Sequence, residues 1–284
     1  MAPAAICLPP QKDRSGFLRV LRAHIRSGKL ATVGNVLAVG ASNEDAAVLR
    51  AAGFDHITLS NFGGGIEWER MAVVAAEYPT LRLDAEQMEL PDGSFDVVFA
   101  HEMIHHCRSP HRAVCEMLRV SRRYVVFMEP NDCLLMRLLT RLKLSYPFEI
   151  AVVIDQGYAT GGVRNSNIPN FIFRWDAHEV WKTVSAFLPE ESVRVHAYPY
   201  WELNASERDL DLRKGTRLKL VAACLGGMRN FVRLLHLGPA LLNTLPFVRR
   251  QGNKFFCVLE KTGELREWLL REPDTGNIVF NRQY

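Results

Sequence analysis

Strand-like and helix-like patterns alternate between residues 33 and 128, and this alternation constrains the fold more than any other feature of the sequence. The strand-like stretches are short and apolar, and they cover residues 33–40, 57–60, 81–83, 95–100 and 124–128. Stretches with helical spacing occupy residues 44–52, 70–78 and 112–120 between them. The alternation predicts a parallel sheet with helices on both faces, which is an α/β fold. Sheets of this kind bind ligands beyond the carboxyl ends of their strands.

The pattern becomes less regular after residue 130. Alternating apolar residues predict two late strands, at 193–200 and 254–260. We therefore expect four segments: an N-terminal arm and helix over 1–30, a main domain over 31–261, helical insertions within it at 131–175 and 207–250, and a C-terminal tail over 262–284. A chain of 284 residues can bury a sizeable core without disulfides or metals.

Composition excludes several classes of protein. Apolar residues make up 48% of the chain and charged residues 23%, which excludes a disordered chain, collagen and a coiled coil. The six cysteines form no C-x-x-C pair, which indicates reduced thiols. The sequence has no convincing signal peptide and no run of 18 apolar residues. We therefore expect a cytoplasmic protein.

One stretch is similar to a known family. Residues 83–106 read LDAEQMELPDGSFDVVFAHEMIHH, and AVCEMLRV at 113–120 and Glu129-Pro130 continue the similarity. The segment 35–131 resembles the class I S-adenosylmethionine-dependent methyltransferases, of the type 11 kind. The resemblance implies a Rossmann-like, doubly wound sheet of seven strands, whose last strand is antiparallel and inserted between its neighbours. It also implies that the helical insertions form a lid.

The resemblance implies S-adenosylmethionine as the cofactor and assigns residues to it. Gly40, Ala41 and Asn61 would line the methionine and ribose end, Asp84, Ala85 and Glu86 the adenine, and Ala100 and His101 would close the site. The first glycine motif departs from the family pattern, since Ala38 replaces the acid, and Ser42 and Glu44 replace later glycines. Glu44 and Asp45 would repel the carboxylate of the cofactor at the helix N-terminus, or bind its ammonium group.

Residues 101–105 match the H-E-x-x-H pattern of zinc proteases. A buried strand leads directly into His101, and no third ligand is apparent, so we expect no metal there. His106 and His101 are candidates for a general base, and Glu129 is a third. For His105 we expect a packing role under the site, as the resemblance implies for paired histidines of the family.

Polar and aromatic residues after the fifth strand are candidates for binding the acceptor. They are Arg164, Asn165, Asn167, Arg174 and Trp175, and they suit a polar, ring-shaped or anionic molecule. The alternative is an ordinary surface loop.

Residues 212–250 contain eight Lys or Arg and no Asp or Glu, although the net charge is only +4. Three interpretations stay open: a lid over the acceptor, a surface that contacts an anionic membrane or a lipid-linked acceptor, and a homodimer face. Nucleic acid is disfavoured, because only Phe231 and Phe247 could stack on bases there.

The sequence therefore predicts a methyltransferase that acts on a small molecule, at an oxygen of a saccharide or natural-product scaffold. Two alternatives stay open. One is a methyltransferase-like fold that has lost or repurposed the cofactor site, and the other is a zinc hydrolase that uses the H-E-x-x-H residues.

Overall fold

A computed structural model describes residues 15–63, 77–203 and 218–284 of the chain. Its strands are β1 (Asn35–Val39), β2 (His56–Asn61), β3 (Thr80–Arg82), β4 (Phe95–His101), β5 (Ser121–Pro130), β6 (Glu191–Tyr200), β7 (Lys254–Leu265), β8 (Leu269–Arg271) and β9 (Ile278–Phe280). The described helices are α1 (Ser15–Arg26), α2 (Asn43–Ala52), α3 (Pro110–Val120), α4 (Leu134–Arg141), α5 (Ile150–Asp155), α6 (Ala177–Phe187), α7 (Leu218–Cys224), α8 (Met228–Leu242) and α9 (Pro246–Arg249). Two 3₁₀ turns cover Ile104–His106 and Val163–Asn165.

Seven strands form one sheet in the order β3-β2-β1-β4-β5-β7-β6. The pairs among β1 to β5 are parallel, whereas β7 is antiparallel to both β5 and β6. The last strand of the sheet is thus inserted between its neighbours. The predicted Rossmann-like topology is confirmed, and so is the assignment of the last two strands to the segments around 193–200 and 254–260.

Two apolar layers lie on opposite faces of the sheet. Val36 and Ala38 of β1 belong to one layer, and Leu37 and Val39 to the other. Successive side chains of a strand point to opposite faces, so a strand that is buried on both sides reads as a continuous apolar run. This is why Val36 to Val39 of β1 read as a continuous apolar run in the sequence.

Local signals explain where the flanking helices begin. Pro110 is the first residue of α3, where the missing N–H costs no helical hydrogen bond. Asp176 precedes α6, and its carboxylate accepts a hydrogen bond of 2.8 Å from the backbone N–H of Glu179. Both helix starts thus follow from signals in the local sequence.

The two ends of the chain differ from the expected segments. In α1, Phe17 and Leu21 are fully buried in the main core, so this helix packs as part of the domain rather than as an arm. At the other end, β7 continues to Leu265, where it pairs with Glu191 of β6. Residues 262–284, predicted as a C-terminal tail, include the end of β7 and the antiparallel pair β8–β9.

Some predictions fall on residues outside the described ranges. The predicted helix at 70–78 lies mostly there, and so does the first part of the basic segment 207–250. From residue 218 onward this segment is helical, as predicted. Within the described ranges, every helix is too short or too polar to span a membrane.

Candidate functional site

The predicted cofactor residues lie along one edge of the sheet. Gly40 follows β1, Asn61 ends β2, His101 ends β4, and Asp84 lies two residues beyond β3. Because these four strands are parallel neighbours, their carboxyl ends meet at this edge. The structure thus brings together residues that are up to 61 positions apart in the sequence.

Gly40 is needed for the shape of this edge. Its backbone has φ of 60°, a left-handed conformation that favours glycine. A Cβ atom at this position would lie 2.1 Å from Cγ of Met103. The next residue, Ala41, donates its backbone N–H to the carbonyl of Ser60 at 3.0 Å. The one glycine that survives from the family motif is therefore required by its own backbone and by its close neighbour.

The start of α2 is occupied by an acidic side chain. The carboxylate of Asp45 accepts a hydrogen bond from the backbone N–H of Ser42 at 2.8 Å. The other carboxylate oxygen of Asp45 lies 3.2 Å from Nδ1 of His101, and these two side chains are only 4% and 6% exposed. The His101 ring also packs against Phe17, with ring centres 4.7 Å apart. His101 is thus a buried partner of Asp45, and its side chain does not face an open acceptor site.

On the predicted adenine side, two carboxylates share one guanidinium group. Arg164 Nη2 lies 2.7 Å from Asp84 Oδ2, and its Nη1 lies 3.0 Å from Glu86 Oε2. The guanidinium also lies over the Phe62 ring, 4.5 Å from its centre. Arg164 was predicted to bind the acceptor, but the structure places it against the acids assigned to the adenine.

Other residues assigned to the cofactor are buried. Ala85, predicted at the adenine, and Ala100, predicted to close the site, belong to the core, so they can offer only backbone atoms or a short apolar contact. The Glu86 carboxylate accepts hydrogen bonds from the backbone N–H groups of Arg108 and Ser109, at 3.1 and 2.8 Å. Glu86 therefore also fixes the start of α3.

Glu129 holds the 3₁₀ turn that follows β4. It is fully buried, and its Oε1 accepts hydrogen bonds from the backbone N–H groups of Met103 and Ile104, at 2.9 and 2.7 Å. Its Oε2 lies 2.5 Å from Nδ1 of His105. Glu129 was predicted as a candidate general base, and in this buried position its carboxylate orients the turn and the His105 ring.

Glu149, which the sequence did not single out, completes the histidine cluster. It immediately precedes α5, and its Oε2 lies 3.1 Å from Nε2 of His105 and 3.3 Å from Nε2 of His106. Nδ2 of Asn170 lies 3.4 Å from the same oxygen. Glu149 lies in an insertion without a motif, so its contact with the paired histidines depends on how that insertion folds.

The electrostatics of this cluster are dominated by its carboxylates. Burial alone would lower the pKa of His105, but Glu129 and Glu149 outweigh it and raise that pKa to about 10. Burial would likewise raise the pKa of Glu149, yet hydrogen bonds from His105 and His106 hold it well below its usual value. The carboxylates of Glu129 and Glu149 therefore favour the protonated form of the His105 ring.

The remaining acceptor candidates are dispersed. Trp175 is fully buried, and its ring packs against Phe127 and Phe173, so the structure gives it a packing role. Asn167 is exposed. Asn165 accepts a hydrogen bond of 3.4 Å from the backbone of Gly161.

Arg174 lines a groove of about 440 Å³ together with Asp132, Arg137 and Lys182. This volume is within the range of small-molecule sites. Of the five acceptor candidates, Arg174 is the one that lies in this groove.

The H-E-x-x-H residues do not form the arrangement of a zinc protease. His101 ends β4 and contacts Asp45, whereas His105 lies in the 3₁₀ turn and contacts Glu129. Glu102 pairs with Lys254 of β7. A zinc protease needs both histidines on one face of a helix, with the glutamate beside them.

Comparison with known proteins agrees with the fold. Residues 33–127 match the family model described as a methyltransferase domain. This match confirms the resemblance that the sequence showed over the same region. The chain matches no protein in a search of curated proteins.

Three solved structures illustrate the likeness. The S-adenosylmethionine-dependent methyltransferase from Mesorhizobium loti is 9% identical, with 86% of this chain and 96% of that chain covered and a TM-score of 0.47. The YcgJ protein from Bacillus subtilis is 13% identical, with coverage of 86% and 97% and a TM-score of 0.46. The SAM-dependent methyltransferase from Archaeoglobus fulgidus is 13% identical, with coverage of 86% and 94% and a TM-score of 0.45.

Proposed function

Residues 33–127 are a methyltransferase domain of a family whose cofactor is S-adenosylmethionine, and from this premise we propose that the chain methylates a small-molecule acceptor. The acceptor atom that we propose is an oxygen of a saccharide or natural-product scaffold. The observation that carries the proposal is the meeting of Gly40, Asn61 and Asp84 at adjacent carboxyl ends of the sheet.

The residues at this edge fit the adenosine part of the cofactor. The carboxylate of Asp84 is partly exposed and can accept hydrogen bonds from an amine or a hydroxyl group. Asn61 lies at the end of β2, next to β1, where its amide can bind a ribose hydroxyl. We assign Asp84 and Asn61 to hydrogen bonding of the nucleoside.

Methyl transfer requires the protein mainly to position the two reactants. S-adenosylmethionine supplies a methyl group on a sulfonium, which is already a strong electrophile. The chain has to hold an acceptor oxygen in line with that methyl group, and such alignment can supply most of the rate enhancement. Of the three predicted catalytic residues, His106 has the most exposed side chain, at 24%. We assign to it the removal of the acceptor proton.

A second candidate function has an observation of its own. The Asp45 carboxylate accepts a hydrogen bond from the Ser42 N–H at the start of α2. Backbone N–H groups at this helix N-terminus are the donors that the carboxylate of the cofactor would use. A fold that has lost or repurposed the cofactor site would show this arrangement. The zinc hydrolase alternative has no such support, because its residues lie apart.

Calorimetric titration with S-adenosylmethionine and S-adenosylhomocysteine tests the proposal. We expect micromolar binding of both by the wild-type chain. Asp84→Ala should weaken it by about 10- to 100-fold, since a hydrogen bond to a charged group contributes about 1.5–3 kcal/mol. Asp92→Ala is the matched control, because Asp92 is a carboxylate that pairs with Arg119 away from this edge.

Two outcomes contradict the proposal. If neither compound binds, the altered first motif has abolished the site, and the repurposed fold is the better account. If both bind and Asp84→Ala has no effect, the nucleoside lies elsewhere. When both bind as expected, release of S-adenosylhomocysteine with a panel of hydroxylated acceptors identifies the substrate class.

The described part of the basic segment presents leucines to solvent. Leu234, Leu237 and Leu241 lie on α8 and are more than half exposed, and Arg229 and Arg233 lie on the same helix. Of the three interpretations of this segment, we favour contact with an anionic membrane that carries a lipid-linked acceptor. The cytoplasmic location stays a prediction.

Sedimentation with vesicles tests the membrane contact. We expect binding to anionic but not to neutral vesicles, with loss in high salt and in the double variant Leu237→Ser/Leu241→Ser. Leu270→Ser, at an exposed leucine of β8, is the control. If the α8 substitutions leave vesicle binding unchanged, the leucine face of α8 is not the membrane contact. If the wild type forms a concentration-dependent dimer that the double variant does not form, the homodimer interpretation is favoured instead.

A further inference from the structure

Three side chains that can ligate a metal meet at the carboxyl edge beyond the predicted cofactor residues. They are His105, His106 and Glu149, and their ligand atoms all lie within 4.8 Å of one another. Nε2 of His105 and Nε2 of His106 lie 3.1 and 3.3 Å from the same oxygen, Oε2 of Glu149. With metal–ligand bonds of about 2.1 Å, neighbouring ligands in a tetrahedral or octahedral site are about 3.0–3.4 Å apart.

The other ring nitrogens of both histidines already have partners. Nδ1 of His105 lies 2.5 Å from the buried carboxylate of Glu129, and Nδ1 of His106 lies 3.3 Å from the carbonyl oxygen of Gly162. Metal-binding histidines have this property, because the second nitrogen donates to a carboxylate or carbonyl that fixes the ring. Both rings are thus held with Nε2 directed toward Glu149.

We propose that His105, His106 and Glu149 bind one divalent transition-metal ion and leave a coordination position open toward the acceptor. Two imidazole nitrogens and one carboxylate suit zinc, manganese or iron(II). The open position follows from the difference in burial. The side chain of His105 is 5% exposed, whereas those of His106 and Glu149 are 24% and 25% exposed, so small molecules reach the cluster from one side.

The lid supplies the third ligand. Glu149 lies in the insertion between β5 and β6, and Asn170 of the same insertion lies 3.4 Å from its Oε2. Asn170 also donates to the backbone carbonyl of His105 at 3.3 Å. The lid is therefore joined to the 3₁₀ turn through the proposed site, and metal binding would stabilise this contact.

The role of the ion rests on the proposed function, although metal binding itself does not. An acceptor hydroxyl bound at the open position would lose its proton to solvent water more readily, because a divalent ion lowers the pKa of a bound oxygen. His106 would then be a metal ligand and would no longer act as the general base.

Metal binding is measured on the full chain after removal of metals with a chelator. In separate calorimetric titrations, we expect one Mn²⁺ per chain, and likewise one Zn²⁺ per chain, to bind at this site. His106→Ala and Glu149→Gln should each weaken binding at least tenfold, and Glu129→Gln should weaken it by about 10- to 100-fold as loss of an outer partner. Mn²⁺ is needed as a probe because Cys224 is an exposed thiol that can take zinc.

His111→Ala is the matched control, because Nε2 of His111 also contacts a carboxylate, that of Glu179, at 2.7 Å. This variant should bind both ions as the wild type does. Substitution by Co²⁺ gives a second measurement: we expect visible absorption bands that are lost in His106→Ala and kept in His111→Ala. Circular dichroism shows whether each variant is folded, and Glu149→Gln keeps the size of the side chain if His106→Ala does not fold.

The proposal is overturned if the wild type, His106→Ala and Glu149→Gln bind Mn²⁺ equally weakly. The cluster would then be a network of hydrogen bonds between histidines and carboxylates. Titration of the metal-free protein with S-adenosylmethionine separates this failure from failure of the proposed function. Cofactor binding without metal binding rejects the site alone, and metal binding without cofactor binding rejects the methyltransferase alone.

Discussion

Two pairs of acidic side chains lie along the carboxyl edge of the sheet, and each pair is bridged by a basic partner. Asp84 and Glu86 share the guanidinium of Arg164, whereas Glu129 and Glu149 share the imidazole of His105. An arginine in a protein is always charged, but an imidazole can lose its proton or bind a metal. The first pair thus has a fixed counter-ion, and the second has one that can change.

The two pairs also differ in their exposure to water. Asp84 and Arg164 are 26% and 31% exposed, while Glu129 is fully buried and His105 nearly so. Water screens the first pair and lets a ligand displace its contacts at small cost. In the second pair, Glu149 is 25% exposed, but the contact between Glu129 and His105 is part of the core, where loss of one partner leaves a buried charge. Two carboxylates bridged by a basic side chain therefore allow a ligand to replace contacts at Asp84 and Glu86, whereas they hold the structure rigid at Glu129.

Among the variants that test this comparison, Glu129→Ala should cause the largest loss in the free energy of unfolding. The substitution removes the buried acceptor of the backbone N–H groups of Met103 and Ile104 and of the His105 ring, and the bonds from Ile104 and His105 are buried. Breaking a buried charged pair costs about 3–5 kcal/mol, and we expect a loss of that order in the free energy of unfolding. Urea denaturation followed by circular dichroism measures it. Glu179→Ala, which breaks a partly exposed contact with His111, is the control, and equal losses in both variants would contradict the difference in rigidity.

Gly40→Ala tests the point where the two regions meet, because Gly40 follows β1 and contacts Met103 of the turn. We expect a loss of about 1–3 kcal/mol in the free energy of unfolding, from a left-handed backbone and a collision with Met103. Gly28→Ala is a matched control: Gly28 has φ of 72°, and its added Cβ would meet no atom within 4 Å. The difference in thermal or urea unfolding between the two variants measures the collision alone. Equal losses would show that Met103 moves aside freely.

Arg164→Ala should have the smallest effect on stability, below about 1 kcal/mol, because the ion pairs it breaks are partly exposed. It should also strengthen binding of S-adenosylmethionine by no more than about fivefold, since the guanidinium no longer competes for Asp84 and Glu86. Calorimetric titration measures this. Loss of cofactor binding in this variant would show that Arg164 contacts the cofactor, and a loss confined to acceptor turnover would support its predicted acceptor role.

The sheet and its edge could be predicted because their signals are local. Several strands are short runs rich in apolar residues, recognisable residues such as Gly40 and Asp84 follow them closely, and parallel strands place such ends together. The order of the last strands came from the resemblance. The placement of Asn61 at the end of β2 needed nothing beyond the strand pattern.

The partners within the site could not be predicted because they depend on the folded insertions. Glu149 reaches His105 across 44 residues, and Arg164 reaches Asp84 across 80, with no periodicity to relate them. Burial was missed for the same reason: His101 and Trp175 read as edge residues in the sequence, yet the packing of α1 and of the second apolar layer covers them. Whether the predicted site residues act as assigned stays a prediction.

The insertion of β7 between β5 and β6 also determines the order in which the chain can fold during its synthesis. β6 is at the edge of the sheet and finds its neighbour in β7, so residues 191–200 leave the ribosome before the strand with which they pair exists. Until residues 254–265 follow, β5 presents an unpaired strand edge, which is a template for pairing with other chains. The insertions 131–175 and 207–250 are both synthesised within this interval. Completion of the sheet is thus a late, long-range event, and the nascent chain is exposed to aggregation until it occurs.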